Sequence, residues 1–549
     1  MKVRSELTHA RLWIALLLFA VLPALLAYTA VTYSRPELPP GPPAYNPVPL
    51  EKTDVLSALQ ARELQRSRRL TTAAASIQGA QLLPATFPEP VATIVLAPRA
   101  EPYGIAELQR DLPAAFENID GAVLLRASIE VPDGAQLSID SATTPDLRML
   151  STPTGFSTII ARGGTVDIRG TKEAPIRLSS WDVDAGTPDS DPSDGRAFLL
   201  TFGGRMDLAH SDIGYLGFGT GTSSGVAWRG ADHVPGQPAD PALGDVTASV
   251  LHDNWFGAYT FEAQGMQWVG NTFADNQAYG FDPHDLSNDF LVADNVAHGN
   301  GRHGFIFSRG CDRNILRNNV SYDNRGHGFM IDDGRTEDSG NLQAARLPSN
   351  DNQLIGNHAY DNDGSGIEIE GGAGTVVSDN LLERNHVGVR IKNDASVAIE
   401  DNRIVDNALA GVDVLAGDGD VGITGNTIVG GWASVALAKP SSAKLTDNEL
   451  RDSSAPMVVA GEAVRNEDLA TTIGRIFAWN PLLVLWAAIL GVPTVLGIRK
   501  LVRFIGRRRR NTRSEKTVPD SKGATSAAAT DPRPGAQGPA LQNAQRRGG

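Results

Sequence analysis

The sequence predicts an all-β solenoid, a parallel β-helix, and three observations carry that expectation. A Gly followed by a short apolar run recurs at Gly257, Gly280, Gly304, Gly328, Gly366, Gly388 and Gly411, in steps of 23, 24, 24, 38, 22 and 23 residues. Asn keeps the same beat three or four residues ahead, at Asn254, Asn276, Asn300, Asn324, Asn362, Asn385 and Asn407, and a second series runs through Asn271, Asn295, Asn319, Asn357, Asn380, Asn402, Asn426 and Asn448. The runs are rich in Val, Ile and Phe and lack the Leu framework that a leucine-rich repeat of this period needs. Asn also tolerates left-handed turns, and Asn side chains on successive rungs can bond to one another.

Taken in order, the 549-residue chain begins with a basic stretch, then residues 12–32 without a charge. That run is long for a signal peptide and adequate for a membrane span, so residues 1–33 are expected to be an anchor or a signal segment cleaved near residues 27–30. Seven prolines within residues 35–49 make a stiff linker, and residues 51–70 have helical spacing. Together residues 34–113 form the expected linker and helical or mixed segment.

From about residue 114 the text turns to β, with VLLRASIEV, AQLSID, STIIA, GTVDIRG and APIRLSS between Gly, Pro and Asp turns. The β-helix is placed at residues 114–455. Residues 182–194 interrupt it with five Asp, either a calcium-holding loop or a solvated one. The 38-residue step inserts a polar loop at residues 333–350, a cover for substrate or an unconstrained insertion. A linker at 456–472, a second membrane helix at 473–498 and a disordered basic tail at 499–549 complete the expected order.

The net charge of −14 hides an asymmetry: residues 499–549 carry 13 Lys and Arg against 3 Asp and Glu, a net of +10 against −24 for residues 1–498. Nucleic acid is not implied for so acidic a body. The positive-inside rule places both basic ends in the cytoplasm and the β-helix outside it, in the periplasm or at the cell surface. The single Cys311 excludes an internal disulfide framework and reads either as a small buried residue or as a reactive thiol.

Against the repeat, residues 279–285, YGFDPHD, stand out. His284 is four residues past Gly280 and Asp285 five, and in the next rung Ser308 and Arg309 are four and five past Gly304. Rungs lie about 4.7–4.9 Å apart, so one sugar ring can touch His284 and Arg309 together. For a uronate, removing the proton on carbon 5 needs the carboxylate neutralised, which a guanidinium is shaped to do, and an imidazole is suited to take the proton. Asp282 or Asp285 can orient that imidazole, and Tyr279, at the start of the same strand, can return a proton from the opposite face. Return on that face inverts the carbon, whereas cleavage of the 4-linkage makes a lyase. The mechanism requires no metal and no cofactor.

YGFDPHD resembles the signature of mannuronan 5-epimerases, right-handed parallel β-helix enzymes that convert mannuronate to guluronate within alginate. The resemblance implies His284 as base, Asp282 as its support and Tyr279 as a possible acid. Asp285 and the Ser308-Arg309 pair resemble the periplasmic, calcium-independent branch, in which an Arg neutralises the uronate carboxylate, and residues 198–219 resemble its early rungs. The terminal membrane segment, its basic tail and the acidic loop at residues 182–194 depart from that branch.

Bland readings stand beside these. His284 can cap a turn while Asp285 pairs structurally with Arg309. His303 and His327, in line with Tyr279, are either groove contacts or a structural column, and Arg390 and Lys392 bind further substrate carboxylates or pair with Glu368 and Glu370. The expected partners are an anionic polysaccharide, the membrane and a polysaccharide synthase or export complex. The competing functions are a polysaccharide lyase on the same scaffold and a non-catalytic surface β-helix that binds glycans or assists envelope assembly.

Overall fold

Each repeat folds into three short strands that lie on three different sheets, as Phe281–His284, Leu291–Ala293 and Val296–His298 do. Stacking the repeats makes sheets of 15, 14 and 16 strands among the described residues, and neighbouring strands are one repeat apart in sequence. The structure, a computed structural model, describes residues 53–459 and 464–466 except 75, 86–89, 220, 234–238, 335–345, 394, 416–418 and 439–442. These belong to one compact unit, Ser34–Gly474. Parallel pairing is already present at Thr93–Val95, upstream of residue 114.

The strands of the first sheet used below are β1 (Phe198–Phe202), β2 (Gly225–Arg229), β3 (Phe256–Phe261), β4 (Phe281–His284), β5 (Phe305–Ser308), β6 (Phe329–Asp332), β7 (Ser365–Glu370), β8 (Val387–Lys392) and β9 (Ala410–Val414). Successive side chains on a strand point to opposite faces. Phe281, Phe305, Phe329, Ile367, Val389 and Val412 therefore fill the column inside the coil, all of them buried. The Phe305 and Phe329 rings stack at 4.9 Å.

Asn holds the corners. Asn319 accepts from the backbone N–H and the side-chain amide of Asn295, at 3.0 and 2.9 Å, and donates onward to Asn357. Both Asn series form such ladders. The left-handed residue, however, is the one before each Asn: Asp253, Asp275, Asp294, Asp323, Asp361, Asp379, Asp401 and Asp406 all have φ between 50° and 57°. Asp tolerates this region because its short side chain satisfies the local backbone. The rung glycines serve a different end, because a Cβ on Gly280 would meet the Gly304 carbonyl oxygen at 2.5 Å.

Helix α1 (Thr53–Ala74), built from strong helix formers, lies on the outer face of the first sheet. Leu56 belongs to an apolar cluster that includes Phe198, Leu200, Phe202 and Ala227, while Arg66 donates to Thr93 and Thr158 at 2.7 Å and Ser67 to the buried Glu130 at 2.6 Å. The acidic stretch at residues 182–194 is a solvent-facing loop, exposed at 184–187, 190 and 191 and folded by its own side chains. Asp182 accepts from the N–H groups of Asp184 and Ala185, and Asp189 is buried against Ser151. Among the described residues no group of three or more metal-binding side chains is arranged to hold an ion.

The expected membrane segments at 1–33 and 473–498 and the tail at 499–549 lie outside the described residues. Among the described residues no helix is long and apolar enough to cross a membrane.

Candidate active site

The heptapeptide holds a strand, β4, that departs from the repeat. Pro283 has no N–H, and between β4 and β5 the paired positions are Phe281 with Phe305 and His284 with Ser308. Alternation turns Phe281 and Pro283 inward and leaves Asp282 and His284 on the outer face. The chain then leaves the strand through Asp285 and Leu286, with φ of 31° and 61°, and the next rung leaves through Arg309 at 64°. Positive φ recurs at this corner in other rungs, as at Glu262 and Asn393, with φ of 53° and 56°, so it belongs to the turn of the coil.

This corner makes a chain of three groups. His284 Nδ1 donates to Asp285 Oδ2, and Arg309 Nε donates to Asp285 Oδ1 at 2.8 Å. Burial pushes the Asp285 carboxyl up, but the bonds and charges of His284 and Arg309 outweigh it and hold it below the usual range. Burial disfavours the imidazolium of His284, yet the Asp285 bond and the charges of Asp282, Asp285 and Asp332 prevail and raise its pKa. With Nδ1 engaged, Nε2 is the nitrogen left to work on a substrate.

Asp282 is 2% exposed, its Oδ1 has no hydrogen-bond partner, and burial pushes its pKa up to about 7. It stands beside His284 without bonding Nδ1, the position that Asp285 holds. Tyr279 is at the corner before β4 rather than in the strand. Its hydroxyl accepts from Arg302, and its ring stacks on His303 at 5.4 Å. The column continues to His327 at 4.7 Å.

His303 and His327 are pinned into the coil. His303 Nδ1 accepts from the N–H of His327 at 2.9 Å and His327 Nδ1 from that of Ser365 at 2.8 Å. Burial, with the neighbouring His327 charge, lowers the pKa of His303 well below the ordinary value. Further along the face, Lys392 pairs with both Glu368 at 2.5 Å and Glu370 at 2.9 Å, while Arg390 takes Asp413 of the following rung at 3.0 Å. Burial opposes ionisation of both glutamates, but His327 and Lys392 hold Glu368 low while Glu370 stays raised.

Three members of the neighbourhood escaped the sequence reading. Asp332, 1% exposed, is in register with Ser308 and accepts from its hydroxyl at 3.0 Å. Its signal was available, since it stands four past Gly328 as His284 stands four past Gly280. Tyr259, in register with Asp282, brings its ring 6.0 Å from that of His284. Arg302 precedes its rung Gly by two, where the neighbouring rungs have Ala278 and Gly326, so the repeat gives no signal for a cation there. Cys311 is buried with Sγ 3.3 Å from the Ser308 carbonyl oxygen, and burial raises its thiol pKa well above the ordinary value, which fits packing rather than reactivity.

The fold is thus a parallel β-helix whose first sheet holds, on its outer face, an imidazole and a guanidinium bonded to one carboxylate. Residues 240–343 and 336–450 match the family model of the right handed beta helix region. In sequence the chain is similar to mannuronan C5-epimerases, as the heptapeptide implied. It is 30% identical over 223 residues to that of Pseudomonas aeruginosa, 39% of each chain, and 28% identical over 321 residues to that of Azotobacter vinelandii, 56% of each. It is also 27% identical over 321 residues to that of Pseudomonas putida, 56% of this chain and 57% of that one. The matches thus span between about two fifths and three fifths of those relatives. Among solved structures the periplasmic alginate epimerase AlgG superposes with a TM-score of 0.57 at 22% identity, covering 65% of this chain and 85% of that one, which shows the shared right-handed β-helix.

Proposed function

We propose that this chain epimerises carbon 5 of uronate residues within a polymer, mannuronate to guluronate in an alginate-like chain. The observation that carries the reading is the His284–Asp285–Arg309 chain on two adjacent rungs, in a protein similar to mannuronan C5-epimerases. His284 Nε2 takes the proton from carbon 5, and the electron pair left behind moves into the carboxylate as an enediolate. Arg309, whose Nε is bonded to Asp285, offers charge to that carboxylate and stabilises the dianion. A proton delivered to the opposite face of carbon 5 collapses the enediolate with inverted configuration.

Tyr279 is the candidate donor, since the Arg302 guanidinium at its hydroxyl stabilises the oxyanion that remains. Asp282 supports His284 by charge, and His303, His327, Arg390 and Lys392 are assigned to the walls and floor that hold further residues of the polymer. The β-helix works outside the cytoplasm in this reading, tethered through the terminal apolar segments, where a synthase or export complex would supply the polymer.

The test is proton NMR of polymannuronate incubated in deuterated water with the full chain and with its His284→Ala variant. Guluronate signals carrying deuterium at carbon 5, absent in the variant, are expected. Unsaturated ends absorbing in the ultraviolet would make the enzyme a lyase. A folded protein that binds polymannuronate equally with and without His284 and exchanges nothing would be a non-catalytic glycan binder.

A further inference from the structure

The position before the rung Gly is held by Tyr279, His303, His327 and Ser365 on four successive rungs. Two places before the rung Gly, the last two of these rungs have Gly326 and Gly364, and each lies against the imidazole of the rung before. A Cβ on Gly326 would collide with His303 Nδ1, and one on Gly364 would stand 2.6 Å from His327 Nδ1. With no side chain in the way, each ring reaches the backbone of the following rung. The His327 N–H donates to His303 Nδ1 at 2.9 Å, and the Ser365 N–H donates to His327 Nδ1 at 2.8 Å. A backbone N–H can only donate, so Nδ1 is an acceptor in both rings and the ring proton of each is on Nε2.

The two rings share an orientation, stacked 4.7 Å apart at 15°, yet they differ in what Nε2 meets. His327 Nε2 stands 3.3 Å from Glu368 Oε2 on the following rung. The residue of β6 in register with Glu368 is Met330, so the rung that follows His303 has a thioether where His327 finds a carboxylate. Among the described residues His303 Nε2 has no hydrogen-bond partner, and His303 is only 6% exposed. A buried donor without an acceptor is costly, and one rung later the same coil supplies that acceptor. Burial, with the charges of His327, Arg302 and Lys392, keeps the His303 ring neutral.

We propose that His303 is a substrate-recognition residue whose Nε2–H, uncharged and fixed in direction, donates to a hydroxyl or ring oxygen of the polymer residue next to the one at His284. This contact rests on the epimerase reading and deepens it, by giving one groove residue a defined partner. One rung, about 4.8 Å, is close to the length of a pyranose in a chain, which sets His303 beside the neighbour of the residue that His284 and Tyr279 serve. An uncharged oxygen is the fitting acceptor, because a neutral N–H leaves a buried carboxylate without a counter-charge. Such a contact fixes where along the polymer the base acts without adding to the electrostatic attraction that holds it.

The experiment sets two isosteres against each other in the full chain. His303→Asn keeps an acceptor oxygen where Nδ1 stands and has no donor at Nε2; His303→Gln puts an amide N–H where Nε2 stands and gives up the acceptor. Both lose the ring and its stacking on Tyr279 and His327. Carbon-5 deuterium exchange is measured against polymannuronate concentration. The expected result is a KM raised about threefold to tenfold in His303→Asn, with kcat within about twofold, and a KM within about twofold of the native value in His303→Gln. Equal KM values in the two variants overturn the proposal, and so does a KM raised only in His303→Gln, because the ring or the backbone acceptor is then what matters. A second measurement does not depend on either variant folding or on turnover: 15N NMR of the histidine-labelled full chain and of its His284→Ala variant titrated with polymannuronate. A protonated Nε2 and a bare Nδ1 at His303, with the Nε2–H resonance moving as polymer is added, are expected. The opposite tautomer, or an unmoved resonance, overturns the proposal. Absence of exchange by the native protein would instead refute the epimerase reading, and the titration then decides this contact through binding alone.

Discussion

Replacing Asp285 by Asn removes one carboxylate from the centre of the site and leaves its shape. Two charge-assisted bonds are lost, from His284 Nδ1 and from Arg309 Nε, the latter 2.8 Å long. Bonds of this kind contribute about 1.5–3 kcal/mol each, and the Asp285 side chain is 18% exposed, so a loss of about 2–4 kcal/mol of stability is expected. The larger effect is on proton transfer. Asp285 is the group that most strongly raises the His284 pKa against burial, so its removal lowers that pKa. The base must be neutral to act; in the native protein, activity therefore falls as pH drops through a value above the ordinary 6.5, and in the variant that limb moves to lower pH. Loss of the fixed tautomer also lowers kcat, by about a hundredfold to ten-thousandfold on the scale of oriented-imidazole systems. The assay is carbon-5 deuterium exchange against pH for both proteins. An unmoved limb, or one moved upward, would show that Asp285 does not set the charge of His284.

Two further substitutions test the environment and the scaffold. Asp282→Asn removes a buried carboxyl whose folded pKa is raised to about 7, above its unfolded value. Such a group contributes stability below the unfolded pKa that is lost as pH rises through the folded one, so the variant should gain on the native protein between pH 5 and pH 8 in thermal melts; a difference that stays flat or shrinks would refute the assignment. Asn319→Ala deletes a rung of the buried ladder, orphans the Asn295 N–H, leaves the Asn295 amide only its bond to the Trp268 carbonyl and takes the side-chain donor from the Val292 carbonyl, with a loss of about 2–4 kcal/mol expected from denaturant titration. A loss below about 1 kcal/mol would mean that water replaces the ladder.

What the sequence made legible was whatever repeats. A one-dimensional fold writes its contacts at a fixed interval, so the register of His284 with Ser308 could be read by counting from Gly280 and Gly304. The same counting places Arg390 opposite Glu368, and the backbones do pair there, but the guanidinium reaches forward to Asp413. Register fixes which residues are neighbours; it does not fix which of two neighbours a long side chain chooses, because that depends on burial and competing partners. Lys392 shows the competition, since it takes Glu368 and Glu370 together and leaves Arg390 to the other side. The Asp285–Arg309 ion pair makes the same point at the site. It is the pairing that a purely structural account of those residues expects, yet it also orders the imidazole, so the structural and functional readings describe one arrangement. The docking of helix α1 was illegible for the opposite reason. Helix α1 meets the sheet across about a hundred residues of sequence, through contacts such as Arg66 to Thr158, and no repeat interval encodes where an appended helix docks.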